Sequence, residues 1–184
     1  MEEKRKRVLE AAREVFFKYG YVKTTMHDIA VASGISRPAL YLIFPGKEEI
    51  FNEVMLLLAD ELSDKVRNET AGIKNALDKL RKVFEIWSIR MYELLNMSTE
   101  ARELYQCTFP FAKESMRKSM EIYENDIAGI LSLFPAGQLA GRVTPKEMAH
   151  VMAAAVSAFK QNSESSEELK SKIELLIRIA IVKN

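Results

Sequence analysis

Residues 24–47 read TTMHDIAVASGISRPALYLIFPGK, and the fold of the chain is decided there. Residues 29–36 have the chemistry of two short helices meeting across a tight turn, with Gly34 able to take the positive φ that a sharp helix exit needs. Thr25 is placed to cap the first helix, and Asp28, three residues on, puts negative charge near its positive end. Ile29 and Ala30 form the buried face, with Ala30 small where a crossing helix comes close and Ile35 closing the same core. Ser36 is the cap of the second helix, and Pro38 sits in its first turn, where a missing N–H is no loss. Leu40 and Phe44, four apart, face inward with Ile43 beside them. Ser36, Arg37, Pro38, Ala39, Tyr41 and Leu42 are left outward, a short surface with no acidic residue that suits a DNA major groove. The pattern is that of a helix-turn-helix.

Working outward, Pro45 and Gly46 break that second helix, and Lys47-Glu48-Glu49 opens the next. Lys47 is expected at the new helix's N-terminus, where free N–H groups, the dipole and an ammonium converge on one anion, a DNA phosphate. Thr25, Tyr41 and Lys47 are therefore assigned to phosphates, and Arg37, Pro38, Ala39 and Leu42 to the groove. Toward the N-terminus, a helix over residues 4–19 carries Val8, Leu9, Ala12, Val15, Phe16 and Tyr19 on one face and stops at Gly20. Residues 4–7, KRKR, form a basic arm that either lies along phosphates or in a minor groove, or is a solvated chain end.

Residues 8–51 resemble the DNA-binding domain of the tetracycline-repressor (TetR) family. The likeness is carried by FFKYGY at 16–21, Thr24-Thr25, Asp28-Ile29-Ala30, Ser33-Gly34-Ile35-Ser36, Leu40-Tyr41, Phe44 and Lys47-Glu48-Glu49. Pro38 and Gly46 depart from it, standing where the family more often has a small residue and a Ser cap. The resemblance implies an all-α fold in two parts. A three-helix helix-turn-helix DNA-binding domain spans residues 1–47, and a helical ligand-binding and dimerisation domain spans residues 48–184. It further implies that a small molecule held in the second domain displaces the helix that begins near residue 47 and separates two reading heads. The last two helices of each copy would form a four-helix dimer bundle, and the usual outcome in the family is repression.

The composition agrees with a helical globular protein: 184 residues, 48% hydrophobic, with a net charge of only +1. Residues 1–50 hold nine Lys and Arg against seven Asp and Glu, so the basic bias is local. No secretory signal is expected at the charged N-terminus, and no apolar run reaches a membrane span. The single Cys107 excludes an internal disulfide framework and points to a cytoplasmic protein. There is no glycine-rich phosphate loop, no nucleophile elbow and no metal-spaced cluster of His or Cys, so neither an enzyme nor a cofactor is expected. The rival to a DNA-binding regulator is a helical interaction module without sequence-specific DNA binding.

Helices are expected over residues 47–67, 73–96, 99–105, 111–134 and 169–182, with another after Thr144, and capping boxes at Thr144/Glu147 and Ser165/Glu168. Trp87, Met91, Tyr92, Tyr105, Phe109, Met116, Met120 and Tyr123 lie between head and C-terminus. They read either as core or as the lining of a pocket for an apolar or aromatic effector, with the Trp87 indole and the tyrosine hydroxyls as its polar groups. Val151, Ala155, Phe159, Ile173, Ile177 and Ala180 read either as the homodimer interface or as the chain's own core, because the last helix is apolar nearly all round.

Overall fold

The structure, a computed structural model, describes residues 2–106 and 109–182, leaving aside the side chains of residues 103–106 and Arg142. Among these residues the chain is helical throughout, with one isolated antiparallel bridge, Leu139 to Ile181, and no strand. The head is built from α1 (Glu2–Lys23), α2 (Met26–Ser33), α3 (Arg37–Ile43) and the start of α4 (Lys47–Thr70). Then come α5 (Ala76–Phe84), a π-helical turn (Glu85–Ile89), α6 (Arg90–Leu95) and α7 (Thr99–Gln106). A short 3-10 turn (Pro110–Ala112) leads into α8 (Lys113–Leu131), and α9 (Pro145–Gln161) and α10 (Ser166–Ala180) end the chain. The all-α expectation is met.

The chain separates into two compact units, Met1–Leu58 with Leu94–Ser119, and Ala59–Glu93 with Met120–Asn184. The boundary between the two compact units falls inside α4, after Leu58. In the first unit, Val8, Leu9, Ala12 and Phe16 of α1 meet Met26, Ile29 and Ala30 of α2, Leu40 and Phe44 of α3, and Ile50, Phe51 and Val54 of α4. Burying each large side chain contributes roughly 1.5–3 kcal/mol before entropy is counted. Ala112 completes the same core, and the rings of Phe109 and Phe111 pack on Tyr21 at 4.7 and 5.1 Å. Asn52 secures that segment, its amide donating to the Phe111 carbonyl at 3.3 Å while its oxygen accepts from the Ser115 hydroxyl at 2.6 Å. Tyr19, expected in the core, is 47% exposed, because the buried ridge of α1 runs through Phe16 to Gly20.

The second unit packs Leu62 and Val66 of α4, Leu80, Val83 and Phe84 of α5, Tyr123, Ile127 and Leu131 of α8, and the inner faces of α9 and α10. The π-helical turn widens the helix by a residue and brings Ile86, Trp87, Ser88 and Ile89 inside together. Beyond it Leu95 is buried and Leu94 is exposed. Two polar links cross this core. The Ser88 and Tyr123 hydroxyls are 3.0 Å apart, and the Trp87 indole donates to Asp126 at 2.8 Å. Burial pushes the Asp126 carboxyl above the ordinary aspartate value, against the lowering effect of bonds from Ser63 and Trp87.

Candidate nucleic-acid interface

The turn between α2 and α3 is made by its own residues. The Thr25 hydroxyl accepts from the Asp28 N–H, and the Asp28 carboxylate accepts from both the N–H and the hydroxyl of Thr25, a closed capping box. These bonds hold the Asp28 carboxyl below its usual value. Gly34 ends α2 in the left-handed region, φ 66° and ψ 32°, with its N–H donating back to the Ala30 and Val31 carbonyls. Ser33, buried beside it, donates its hydroxyl to the Ile29 carbonyl at 2.7 Å. Ser36 caps α3 by accepting from the Ala39 N–H, with Pro38 in the first turn.

What remains outward matches the sequence expectation. Ser36, Arg37, Pro38, Tyr41 and Leu42 are exposed and Ala39 is half-buried, while Leu40 and Phe44 are fully buried beneath them. Leu42 is 89% exposed. The Arg37 guanidinium lies 5.7 Å from the centre of the Tyr41 ring, one turn along.

Two expected phosphate contacts are engaged otherwise. Thr25 is exposed, but its hydroxyl proton is given to Asp28. Lys47 does not point at the free N–H groups of its own helix. Its ammonium donates to the Tyr21 and Thr24 carbonyls at 2.7 Å each and lies 4.2 Å from the centre of the Tyr21 ring. Partial burial lowers its pKa, and burial with Glu48 and Glu49 nearby raises that of Tyr21 to about 12. The carbonyls left over where α1 ends compete for the ammonium, and chain spacing alone does not reveal them. The basic arm is part of α1, which begins at Glu2: Arg5 is folded against α3 and α4, while Lys4, Lys6 and Arg7 are exposed.

The other expected sites divide. Trp87, Met91 and Tyr123 are buried in the second unit, with the Trp87 and Tyr123 rings stacked at 5.0 Å; Met120 and Tyr92 there are half-buried. The polar groups expected to meet a ligand are bonded internally, Trp87 to Asp126, Tyr123 to Ser88, and Tyr92 to the Ser163 carbonyl at 2.7 Å. Phe109 belongs to the aromatic cluster of the first unit, which also holds the exposed Met116. The Tyr105 side chain and Cys107 lie outside the described residues.

Of the expected dimer residues, Ile173, Ile177 and Ala180 are a correction: they are 3% exposed or less and belong to the chain's own core. Val151 is exposed and Ala155 and Phe159 are half-buried. Leu175 and Ile179 are exposed and were not anticipated, because a helix apolar all round has no phase that periodicity can read.

Comparison with known proteins agrees with this geometry. Residues 8–54 match the family described as bacterial regulatory proteins, tetR family. Over those residues the chain is similar to the TetR family. Over 63 residues it is 35% identical to YhgD, an uncharacterized helix-turn-helix transcriptional regulator of Bacillus subtilis, a match spanning 34% of this chain and 33% of that protein. Two solved structures share the fold over nearly the whole chain. The fatty acid degradation regulator FadR of Bacillus halodurans superposes with a TM-score of 0.73 at 16% identity, covering 95% of this chain and 94% of that one. FadR of Thermus thermophilus, a TetR-family transcriptional repressor in complex with lauroyl-CoA, gives 0.67 at 23% identity, covering 98% and 96%. Among the described residues, no helix is long and apolar enough to cross a membrane.

Proposed function

We propose that the chain is a ligand-responsive, DNA-binding transcriptional regulator of the cytoplasm, acting as a homodimer on a palindromic operator and released from it by a small effector. The observation that carries this reading is the outward face of α3, exposed, free of acid and seated on the fully buried Leu40 and Phe44. Arg37 is the side chain to bond a guanine edge, and Pro38, Ala39 and Leu42 are placed to meet thymine methyls. Ser36, Thr25 and Tyr41 flank the groove face as backbone contacts. Lys47 has one N–H left for a phosphate after its two bonds to carbonyls.

The dimer reading rests on the outward faces of the last two helices. Val151, Ala154 and Ala158 on α9, with Ala155 at their edge, and Leu175 and Ile179 on α10, recur at spacings of three and four and face away from the core. A second copy of the same faces covers them and holds two heads about 34 Å apart, as a palindrome requires. The division of labour follows: residues 1–47 read, residues 48–184 sense and dimerise, and Phe109 and Phe111 lend aromatic surface to the head. Repression is the expected outcome, and an apolar or aromatic effector is the expected signal. Acyl-CoAs are the first compounds to test, since a protein of the same fold holds lauroyl-CoA. By linkage, the effector and DNA weaken each other's binding by the same factor.

The test is selection of duplexes from a random library by the purified chain, followed by anisotropy against the selected and a scrambled duplex at low and moderate salt. Preference that survives added salt supports the reading, and acyl-CoAs are then scored by release. Failure to enrich any sequence, with weak binding to all duplexes lost together as salt rises, sinks it and leaves a helical interaction module.

A further inference from the structure

Arg5 sits in a run of four cations, residues 4–7, yet its guanidinium is used inside the head. Nε donates to Glu53 Oε2 at 2.9 Å, and Nη2 donates to Glu53 Oε1. Nη1 donates to the Ile43 carbonyl at 3.1 Å, and the guanidinium carbon stands 4.3 Å from the centre of the Phe44 ring. Ile43 is the last residue of α3, and Phe44 is its C-cap. A helix end leaves carbonyls without partners and carries partial negative charge, and a guanidinium answers both needs. Phe44 is fully buried, so the ring under the guanidinium is not free to follow it. One side chain thus ties the start of α1, the end of α3 and the second turn of α4.

We infer that Arg5 is a positioning residue for sequence reading: it sets the tilt and rotation of α3, and so the place of Arg37 and Leu42, without holding DNA itself. A lysine keeps the charge but cannot reproduce the planar fork, the carbonyl bond and the stacking at once. The inference rests on the DNA-reading proposal above.

The test uses the full chain, wild type, Arg5→Lys, Arg5→Gln and Glu53→Gln, against the selected and scrambled duplexes over a salt series. Helix content of each variant is checked by circular dichroism at the assay temperature. Expected is a loss on the order of tenfold for Arg5→Lys on the selected duplex, with the scrambled duplex unchanged. The slope of log K against log salt stays at the wild-type value in all three variants, because no phosphate contact is removed. Glu53→Gln, which removes no cation, shifts the selected duplex in the same direction and keeps the test open if an Arg5 variant is poorly folded. Combining it with Arg5→Lys adds little to either single change. Arg5→Lys binding the selected duplex like wild type overturns the inference. So does Arg5→Gln weakening both duplexes alike with the slope reduced by about one, the mark of a phosphate contact. A wild-type chain with no preference among duplexes defeats the DNA reading itself, which is a separate outcome.

Discussion

The outward faces of α3 and of the α9–α10 pair both leave apolar side chains in water, but they do so differently. On α3, Leu42 shares a face with Arg37, Pro38 and Tyr41, and the helix is only seven residues long. On α9 and α10, Val151, Leu175 and Ile179 join alanines in stripes along helices of seventeen and fifteen residues. A short face that mixes a cation and hydroxyls with a few apolar groups suits a surface that is mostly charged and wet, as a DNA groove is. A continuous apolar stripe suits a protein surface of the same kind. The two faces therefore point to different partners, though both expose large apolar side chains.

The comparison is most sharply tested on α10, where neighbours two apart have opposite fates. Ile177→Asp buries a charge in the core and is expected to cost about 3 kcal/mol or more, enough to lose the cooperative thermal melt of helix content. Ile179→Asp places the same charge on the outer stripe. Helix content should persist while sedimentation at micromolar concentration shows a monomer; a dimer of wild-type strength would break the assignment of that face. On α3 the matching change is Arg37→Ala, expected to lose about 1–3 kcal/mol on the selected duplex, with a much smaller effect on scrambled DNA, by anisotropy. Equal losses on both would turn Arg37 into a backbone contact.

Smaller effects probe the frame under α3. Ser36→Ala removes its N-cap and should lower stability by about 1 kcal/mol in a urea titration. Gly34→Ala should cost a similar amount, about 1 kcal/mol, through its positive φ and not through crowding, since no atom beyond the adjoining residues stands within 4 Å of the added methyl. The smallest effect is ionic. Asp28 has its pKa lowered by the Thr25 bonds, so its contribution to stability is present above the ordinary aspartate value and is lost as pH falls through the lowered one. A carboxyl NMR titration should find Asp28 below 3.8 in the wild type and returned toward it in Thr25→Val. An unshifted Asp28 would mean the capping box is open in solution.

Legibility in the sequence followed the distance over which each feature is decided. The caps at Thr25, Ser36 and Thr144 and the left-handed Gly34 were all readable, since each depends on groups within four residues. Ser165 was half readable: it caps α10, but Glu168 turns to the Glu164 N–H instead of closing the box. The inward residues of α1 and α2 were readable because polar residues mark the other side of those helices. On α9 the same method gave no phase: it left Val151, Ala155 and Phe159 open between interface and core, and the structure buries Ala149, Met152, Ala153 and Val156. With small and apolar residues around most of the helix, periodicity had no contrast to work on. The pocket residues fared similarly, since a ring in a packed core and a ring lining a cavity have the same spacing.

The sequence by itself determined the helix-turn-helix, its caps, the acid-free face of α3 and the all-helical class, because these follow from local backbone preference and short-range hydrogen bonds. Only the tertiary structure decided what Arg5 and Lys47 hold, which turn of the π-helical segment faces inward, and which side of α10 is left for a partner. A long cation goes to whatever carbonyl or carboxylate the fold brings within reach, and an all-apolar helix is oriented by its neighbours. Neither is written within a few residues of the side chain concerned.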